Sequence, residues 1–231
     1  MCFLWCGVTV ASCNSDAGVD AAVPEDEVAD APAEDAGRSD GGRDGGTLDA
    51  GPRCADARER DMWVWQGMIA MDATRRAELF GFVDLYGIRA VYIESEGLVA
   101  RTDDALETLV AEAETHCAQV DLLFGNPAWA LRSEHDTLLL LIRDAIAFAA
   151  RVSVPPLGVH LDVEPYALPE WVSSPDATAL EFLEMVEAVA ALLSTSPLEL
   201  TIDIPFWFDG VMVDAGDGPR PLSERIQEVA D

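Results

Sequence analysis

The sequence predicts an α/β fold in which strands alternate with helices. After residue 53, short apolar stretches alternate with longer amphipathic ones, which is typical of βα units on a parallel sheet. The units recur about every 30 residues, a spacing that favours a (β/α) barrel of the TIM type. Carboxylates and aromatic rings follow the apolar stretches, and this is where such barrels carry their sites.

The elements are placed by apolar periodicity and by capping residues. Gly87 lies at the C-cap of the first helix, and Ser174-Pro175 combines a capping residue with a proline suited to a first helical turn. Strands are predicted at Met62–Ile69, Ala90–Ile93, Val120–Phe124, within Pro155–Tyr166 and at Leu198–Ile204. Helices are predicted at Ala73–Tyr86, Asp103–Cys117, Glu134–Arg151 and Asp176–Leu193, with a fifth starting at Pro221.

Five βα units are fewer than the eight of a closed barrel. An eight-unit barrel usually needs about 250 residues, and the folded part predicted here covers only residues 54–231. We therefore expect a barrel of this type that is truncated after about five units. An open, doubly wound sheet is the alternative.

The charge of the chain restricts its partners. Asp and Glu number 43 against 14 basic residues, and the formal net charge is −29. This charge disfavours binding to nucleic acids and to anionic membrane surfaces, because such binding needs a basic surface. Neutral or cationic ligands are compatible with this charge, although an acidic surface that only aids solubility is the simpler explanation.

The N-terminus is apolar over residues 1–13 and ends in Val10-Ala11-Ser12-Cys13. This segment resembles a bacterial lipoprotein signal peptide, which implies a lipid on Cys13 and a place in the cell envelope or outside the cell. No Lys or Arg precedes the apolar run, so a plain secretory signal or an ordinary apolar N-terminus is the alternative. The run is too short to span a bilayer. Residues 14–53 are rich in Asp, Ala and Gly and predict a disordered acidic linker.

Two cysteines, Cys54 and Cys117, lie in the predicted folded part. An even pair outside the cytosol favours a disulfide. Cys54 precedes the first strand and Cys117 ends the second helix, so both are expected at the same end of the barrel. Two free thiols are the alternative.

The fourth strand ends in two carboxylates and a proline. In an extended strand alternate side chains share a face, so Val159, Leu161 and Val163 point to one side. His160, Asp162 and Glu164 point to the other. Because burying such groups unpaired would cost several kcal/mol each, their side must meet water, a metal, a partner charge or a substrate pocket.

Other strand ends carry residues of the same kinds. Sugar rings offer apolar faces and hydroxyl edges, which aromatic rings and carboxylates can bind. The alternative role for these aromatic rings is to close the top of the barrel. The residues are Glu94 after the second strand, Trp129 after the third, Tyr166 after the fourth, and Asp203 and Trp207 after the fifth.

The motif at the fourth strand resembles that of glycoside hydrolase family 18, the chitinases and their relatives. Asp162 and Glu164 match the last two positions of Asp-x-x-Asp-x-Asp-x-Glu, whereas Leu157 and His160 replace the earlier aspartates. The resemblance implies that Glu164 is the general acid and Asp162 its charge partner. It also implies a carbohydrate substrate. From their positions at the strand ends we expect substrate to be bound by His160, Tyr166, Glu94, Trp129, Asp203 and Trp207, and we expect no cofactor.

The route of hydrolysis stays open. In a substrate-assisted reaction the acetamido group of the sugar replaces the protein nucleophile, whereas an ordinary retaining enzyme needs a second carboxylate about 5 Å from the first. Two further classes of function also remain. The barrel could bind glycans without cleaving them, or His160, Asp162 and Glu164 could hold a metal, although zinc sites usually recruit more than one histidine.

Overall fold

The computed structural model describes residues 60–230 of the chain, and the predicted signal segment, linker, Cys13 and Cys54 lie outside this range. The strands are β1 (Asp61–Val64), β2 (Ala90–Glu94), β3 (Gln119–Phe124), β4 (Gly158–Leu161), β5 (Glu199–Ile202), β6 (Met212–Asp214) and β7 (Pro219–Pro221). The α-helices are α1 (Ala73–Tyr86), α2 (Ala105–Thr115), α3 (His135–Arg151), α4 (Pro169–Ser173), α5 (Pro175–Leu193) and α6 (Leu222–Ala230).

The first five strands form one parallel sheet, and β6 and β7 form a separate antiparallel hairpin. The order in the parallel sheet is β1-β2-β3-β4-β5, the same as in the chain. A doubly wound sheet would reverse its direction of growth at a switch point, and no reversal occurs among the described strands. The predicted α/β class with a parallel sheet is confirmed.

The two faces of the sheet differ. Val91, Leu122 and Val159 belong to the main buried cluster, which also holds apolar side chains of α1, α2, α3, α5 and α6. Tyr92 and Leu123 belong to a second, small cluster with Ala90 and Trp63, to which no helix contributes. The described helices therefore cover one face. We call the other the His160 face, because His160 contacts both Tyr92 and Trp63 there.

Capping explains why the predicted bounds of α1 are correct. The side chain of Asp72 accepts hydrogen bonds from the backbone N–H groups of Thr74 and Arg75, and Gly87 ends the helix at φ 61°. An oxygen acceptor at the N-cap and a left-handed residue after the last turn satisfy groups that the helix itself cannot.

The first strand was predicted too long. It ends at Val64 and is followed by a 3₁₀ turn at Gly67–Met71. The turn depends on Gly67, because a Cβ at this position would lie 2.0 Å from the backbone oxygen of Glu94. The apolar run that suggested a longer strand therefore continues into a turn packed against the end of β2.

The described part of the chain contains no helix with both the length and the apolar character that crossing a membrane requires.

Candidate functional site

Five strand ends come together at one edge of the sheet. In this register Val64 pairs with Ile93, Glu94 with Leu123, Phe124 with Leu161 and Leu161 with Ile202. Parallel strands place their carboxyl ends on one side, which is where α/β folds carry their sites. We call this side the carboxyl edge, and the residues on it are Trp65, Glu94, Gly125, Asp162 and Asp203.

The carboxyl of Asp162, on this edge, is partly buried and has a raised pKa. Burial raises its pKa to about 7, and the charges of Asp203 and Glu164 reinforce the rise while His160 opposes it. Both the low dielectric and the neighbouring negative charges disfavour an ionised carboxylate. The structure therefore brings three sequence-predicted residues, Asp162, Glu164 and Asp203, into one electrostatically coupled group.

Glu164 is the exposed member of this group. The Tyr166 hydroxyl donates a hydrogen bond of 2.6 Å to Oε1 of Glu164. Burial, together with the charge of Glu164, raises the pKa of Tyr166, so the phenol stays a donor at ordinary pH. Tyr166 thus restricts the position of a carboxylate that solvent and ligand can reach.

An aromatic group continues outward from Tyr166. The ring of Trp207 lies 5.2 Å from that of Tyr166 and 5.9 Å from that of Trp171. Phe208, which is fully buried, packs edge-on against Trp207 at 4.8 Å and anchors it. The sequence-predicted Tyr166 and Trp207 therefore form one partly exposed aromatic surface beside Glu164.

His160 lies below the carboxylates and is only 3% exposed. Its Nδ1 is 2.7 Å from the hydroxyl oxygen of Thr201, and its Nε2 is 3.0 Å from Oδ2 of Asp203. That second contact has ion-pair distance but not hydrogen-bond alignment. The ring of Tyr92 stacks on the imidazole at 4.0 Å. Since both ring nitrogens face protein groups and the ring is covered, His160 supports Asp203 rather than contacting a ligand.

Glu94 is held at the carboxyl edge by two backbone segments. Its Oε1 accepts a hydrogen bond of 3.0 Å from the N–H of Glu96. On its other side Gly67 packs so closely that a Cβ there would lie 2.6 Å from Oε2. The side chain is partly buried, and it lies on the edge where the sequence predicted it.

Trp129 does not reach the site. It is 1% exposed and packs near Phe124 in the main buried cluster. The cause is local, since Asn126 caps a 3₁₀ turn at Pro127–Ala130 that directs the indole into the core. We therefore do not retain Trp129 as a ligand-binding residue.

Trp65 is the site residue that sequence reasoning missed. It was assigned to the interior of a longer first strand, but the strand ends one residue earlier, at Val64. The signal that could have located it is Gly67, since a glycine two residues after an aromatic residue is compatible with a turn at that point.

Two other predictions concern cysteine and metal. Cys117 is disulfide-bonded, and its predicted partner Cys54 is outside the described residues. Within residues 60–230, no group of three or more His, Cys, Asp and Glu side chains is arranged to hold a metal ion.

The fold and the site together define an α/β protein with a parallel sheet and a cluster of carboxylates at its carboxyl edge. No protein-family model matches the chain, and neither does any curated protein. The likeness of Asp162 and Glu164 to the family-18 motif stays a prediction.

Proposed function

We propose that this protein is a glycoside hydrolase that acts on an extracellular glycan, with Glu164 as the general acid. The observation that carries the proposal is the coupled group at the carboxyl edge, in which the pKa of Asp162 is raised to about 7 beside Glu164 and Asp203. A glycosidase needs a carboxyl that is protonated near neutral pH next to one that is ionised.

Asp162 and Glu164 have different roles in this proposal. Asp162 is partly buried and retains a proton, whereas Glu164 is exposed and can approach a glycosidic oxygen. Glu164 donates a proton to the leaving oxygen, and the proton that Asp162 holds replaces it on Glu164. The charge of Asp203 helps to keep Asp162 protonated.

The aromatic surface supports the choice of a glycan. Tyr166 and Trp207 are both partly exposed and lie beside Glu164. Aromatic rings with polar groups at their margins suit sugars, which have apolar faces and hydroxyl edges. Glu94 and Asp203 can accept hydrogen bonds from sugar hydroxyls, and the proposed hydrolysis requires only the glycan and water.

The finer fold assignment, a (β/α) barrel of the TIM type, also belongs to this proposal. It is supported by the sheet order, by the helices on a single face, and by the curvature that brings Trp63 of β1 to Asp203 beyond β5. The apolar N-terminal segment supports a lipid anchor at Cys13 and a location in the bacterial cell envelope or outside the cell. Replacing Cys13 with Ala should abolish incorporation of labelled palmitate if that assignment holds.

Hydrolysis of chromogenic glycosides tests the catalytic assignment. Glu164→Gln keeps the shape of the side chain but cannot donate a proton, so we expect turnover to fall by about 10³-fold while glycan binding persists. Glu170→Gln is the matched control, because Glu170 is an exposed carboxylate on the nearby α4. Unchanged turnover in Glu164→Gln would contradict the proposal.

Glycan binding without cleavage is the second candidate function. The aromatic surface of Tyr166, Trp171 and Trp207 favours it, because stacking on a sugar needs no acid. In that case wild type and Glu164→Gln would bind the same oligosaccharides and neither would release product.

A further inference from the structure

We infer that Trp65 is the stacking surface for a pyranose ring beside Asp162, and that the glycan bound there carries no acidic groups. The inference rests on the proposed function and adds to it a residue and a class of substrate. It comes from three features of the described residues: the place of Trp65, its exposure and the charge around it.

Trp65 lies on the carboxyl edge and packs against Gly125, which follows the central strand β3. It follows the last residue of β1, and its indole packs on Gly125 so closely that a Cβ there would lie 2.6 Å from Cη2 and 2.8 Å from Cζ3. The same point is 3.1 Å from the backbone oxygen of Asp162. Only glycine at position 125 leaves room for the indole. The ring is therefore held next to Asp162.

The indole is 50% exposed although it is held in this way. A large apolar side chain packed on one side and open to water on the other resembles the aromatic platforms that bind apolar ligand faces. The C–H face of a pyranose is such a ligand, and it would lie between Trp65 and the carboxylates of β4 and β5. Trp207 and Tyr166 would then contact a neighbouring sugar unit.

The charge at the edge restricts which glycan fits. Glu94, Asp162 and Asp203 all lie there, and among the described residues no ion pair joins an arginine to any of them. Uronic acids or sulfated sugars would meet negative charge that no arginine offsets. Neutral sugars can donate hydroxyl hydrogen bonds to these oxygens, and amino sugars can add a cation over the indole.

Calorimetric binding to three soluble oligosaccharide classes tests the inference, each measured on the Glu164→Gln background so that no cleavage occurs. The probes are cellohexaose, a chitosan hexamer and hexagalacturonate. We expect the first or second to bind and the third not to bind. Trp65→Ala should weaken that binding at least tenfold and Trp65→Phe by less. Phe82→Ala is the matched control, because Phe82 is similarly exposed (45%) but lies on the outer side of α1.

The possible outcomes test the inference about Trp65 separately from the hydrolase proposal. If wild type cleaves a neutral or amino glycan and Trp65→Ala leaves both KM and Kd unchanged, the inference about Trp65 is wrong and the hydrolase proposal stands. If wild type neither binds nor cleaves any glycan, both are wrong. Preferred binding of hexagalacturonate would overturn the substrate class. Should Trp65→Ala not fold, the indole N–H resonance of Trp65, assigned through Trp65→Phe, must still shift on adding the bound oligosaccharide, and an unmoved resonance overturns the inference.

Discussion

The indole Nε1–H of Trp63 donates a hydrogen bond of 3.1 Å to Oδ2 of Asp203, which joins the first strand of the sheet to the residue just after the fifth. Four inter-strand spacings of about 4.8 Å would separate these strands by roughly 19 Å in a flat sheet, which is farther than the two side chains can reach together. The sheet must therefore curl around its His160 face. The curvature explains the contact of Trp63 with Asp203, whereas the pairing of Leu161 with Ile202 on adjacent strands places Asp203 beside Asp162.

Asp203→Asn should lower the pKa of Asp162 from about 7, because the substitution removes the larger of the two charges that reinforce the effect of burial. The geometry should survive, since an amide oxygen can still accept from Trp63. Carboxyl ¹³C NMR titration of Asp162 measures the shift. An unchanged pKa would show that Asp203 does not act on Asp162, and Asp209→Asn, an exposed aspartate after β5, is the control.

Under the proposed function, kcat should fall as pH rises through about 7. The direction of the change follows from Asp162, whose proton is present below its pKa of about 7 and lost above it. In Asp203→Asn this decline should move to lower pH along with the pKa. A pH–rate profile on a chromogenic glycoside measures this decline in wild type and in the variant. A wild-type rate that stays constant from pH 6 to 9 would contradict the role of Asp162.

Asp121→Asn should stabilise the protein at neutral pH. Asp121 is 4% exposed, and burial raises its pKa from 3.8 to about 6 against an opposing effect of His160. The pKa of Asp121 is higher in the folded protein than in the unfolded chain, so protonated Asp121 favours the folded state. This contribution to stability is complete below pH 4 and is lost as pH rises towards 6. The loss amounts to about 3 kcal/mol at most.

Urea denaturation at pH 4 and pH 8 measures this effect. At pH 8 the free energy of unfolding of Asp121→Asn should exceed that of wild type by about 1–3 kcal/mol. At pH 4 the difference should disappear. Glu187→Gln removes an exposed charge from α5 and should change stability little at either pH. A destabilised Asp121→Asn at pH 8 would contradict the prediction.

Gly67→Ala should destabilise the fold by about 2–4 kcal/mol. The added Cβ would lie 2.0 Å from the backbone oxygen of Glu94, and backbone cannot move aside as a flexible side chain can. Gly81→Ala is the opposite case within the same chain, because Gly81 lies inside α1 with nothing within 4 Å of a new Cβ. It should stabilise the protein by about 0.5–1 kcal/mol. Thermal unfolding that ranks the two variants in the reverse order would contradict this account of the turn.

The sequence by itself determined the local features of this protein. The α/β class followed from periodicity, α1 from its caps, and the division of β4 into Val159 and Leu161 on one face and His160 on the other from the two-residue repeat of a strand. Each of these depends on residues close together in the chain, so composition and spacing were sufficient to predict them.

Only the tertiary structure decided which of the polar and aromatic residues share a site. It joined Trp63 and His160 to Asp203, placed Trp65 on Gly125, and buried Trp129 in the core. The contacts of Trp63 and Trp65 depend on sheet curvature and on the point where β1 ends. Both are set by packing between segments far apart in the chain, on which local spacing carries no information.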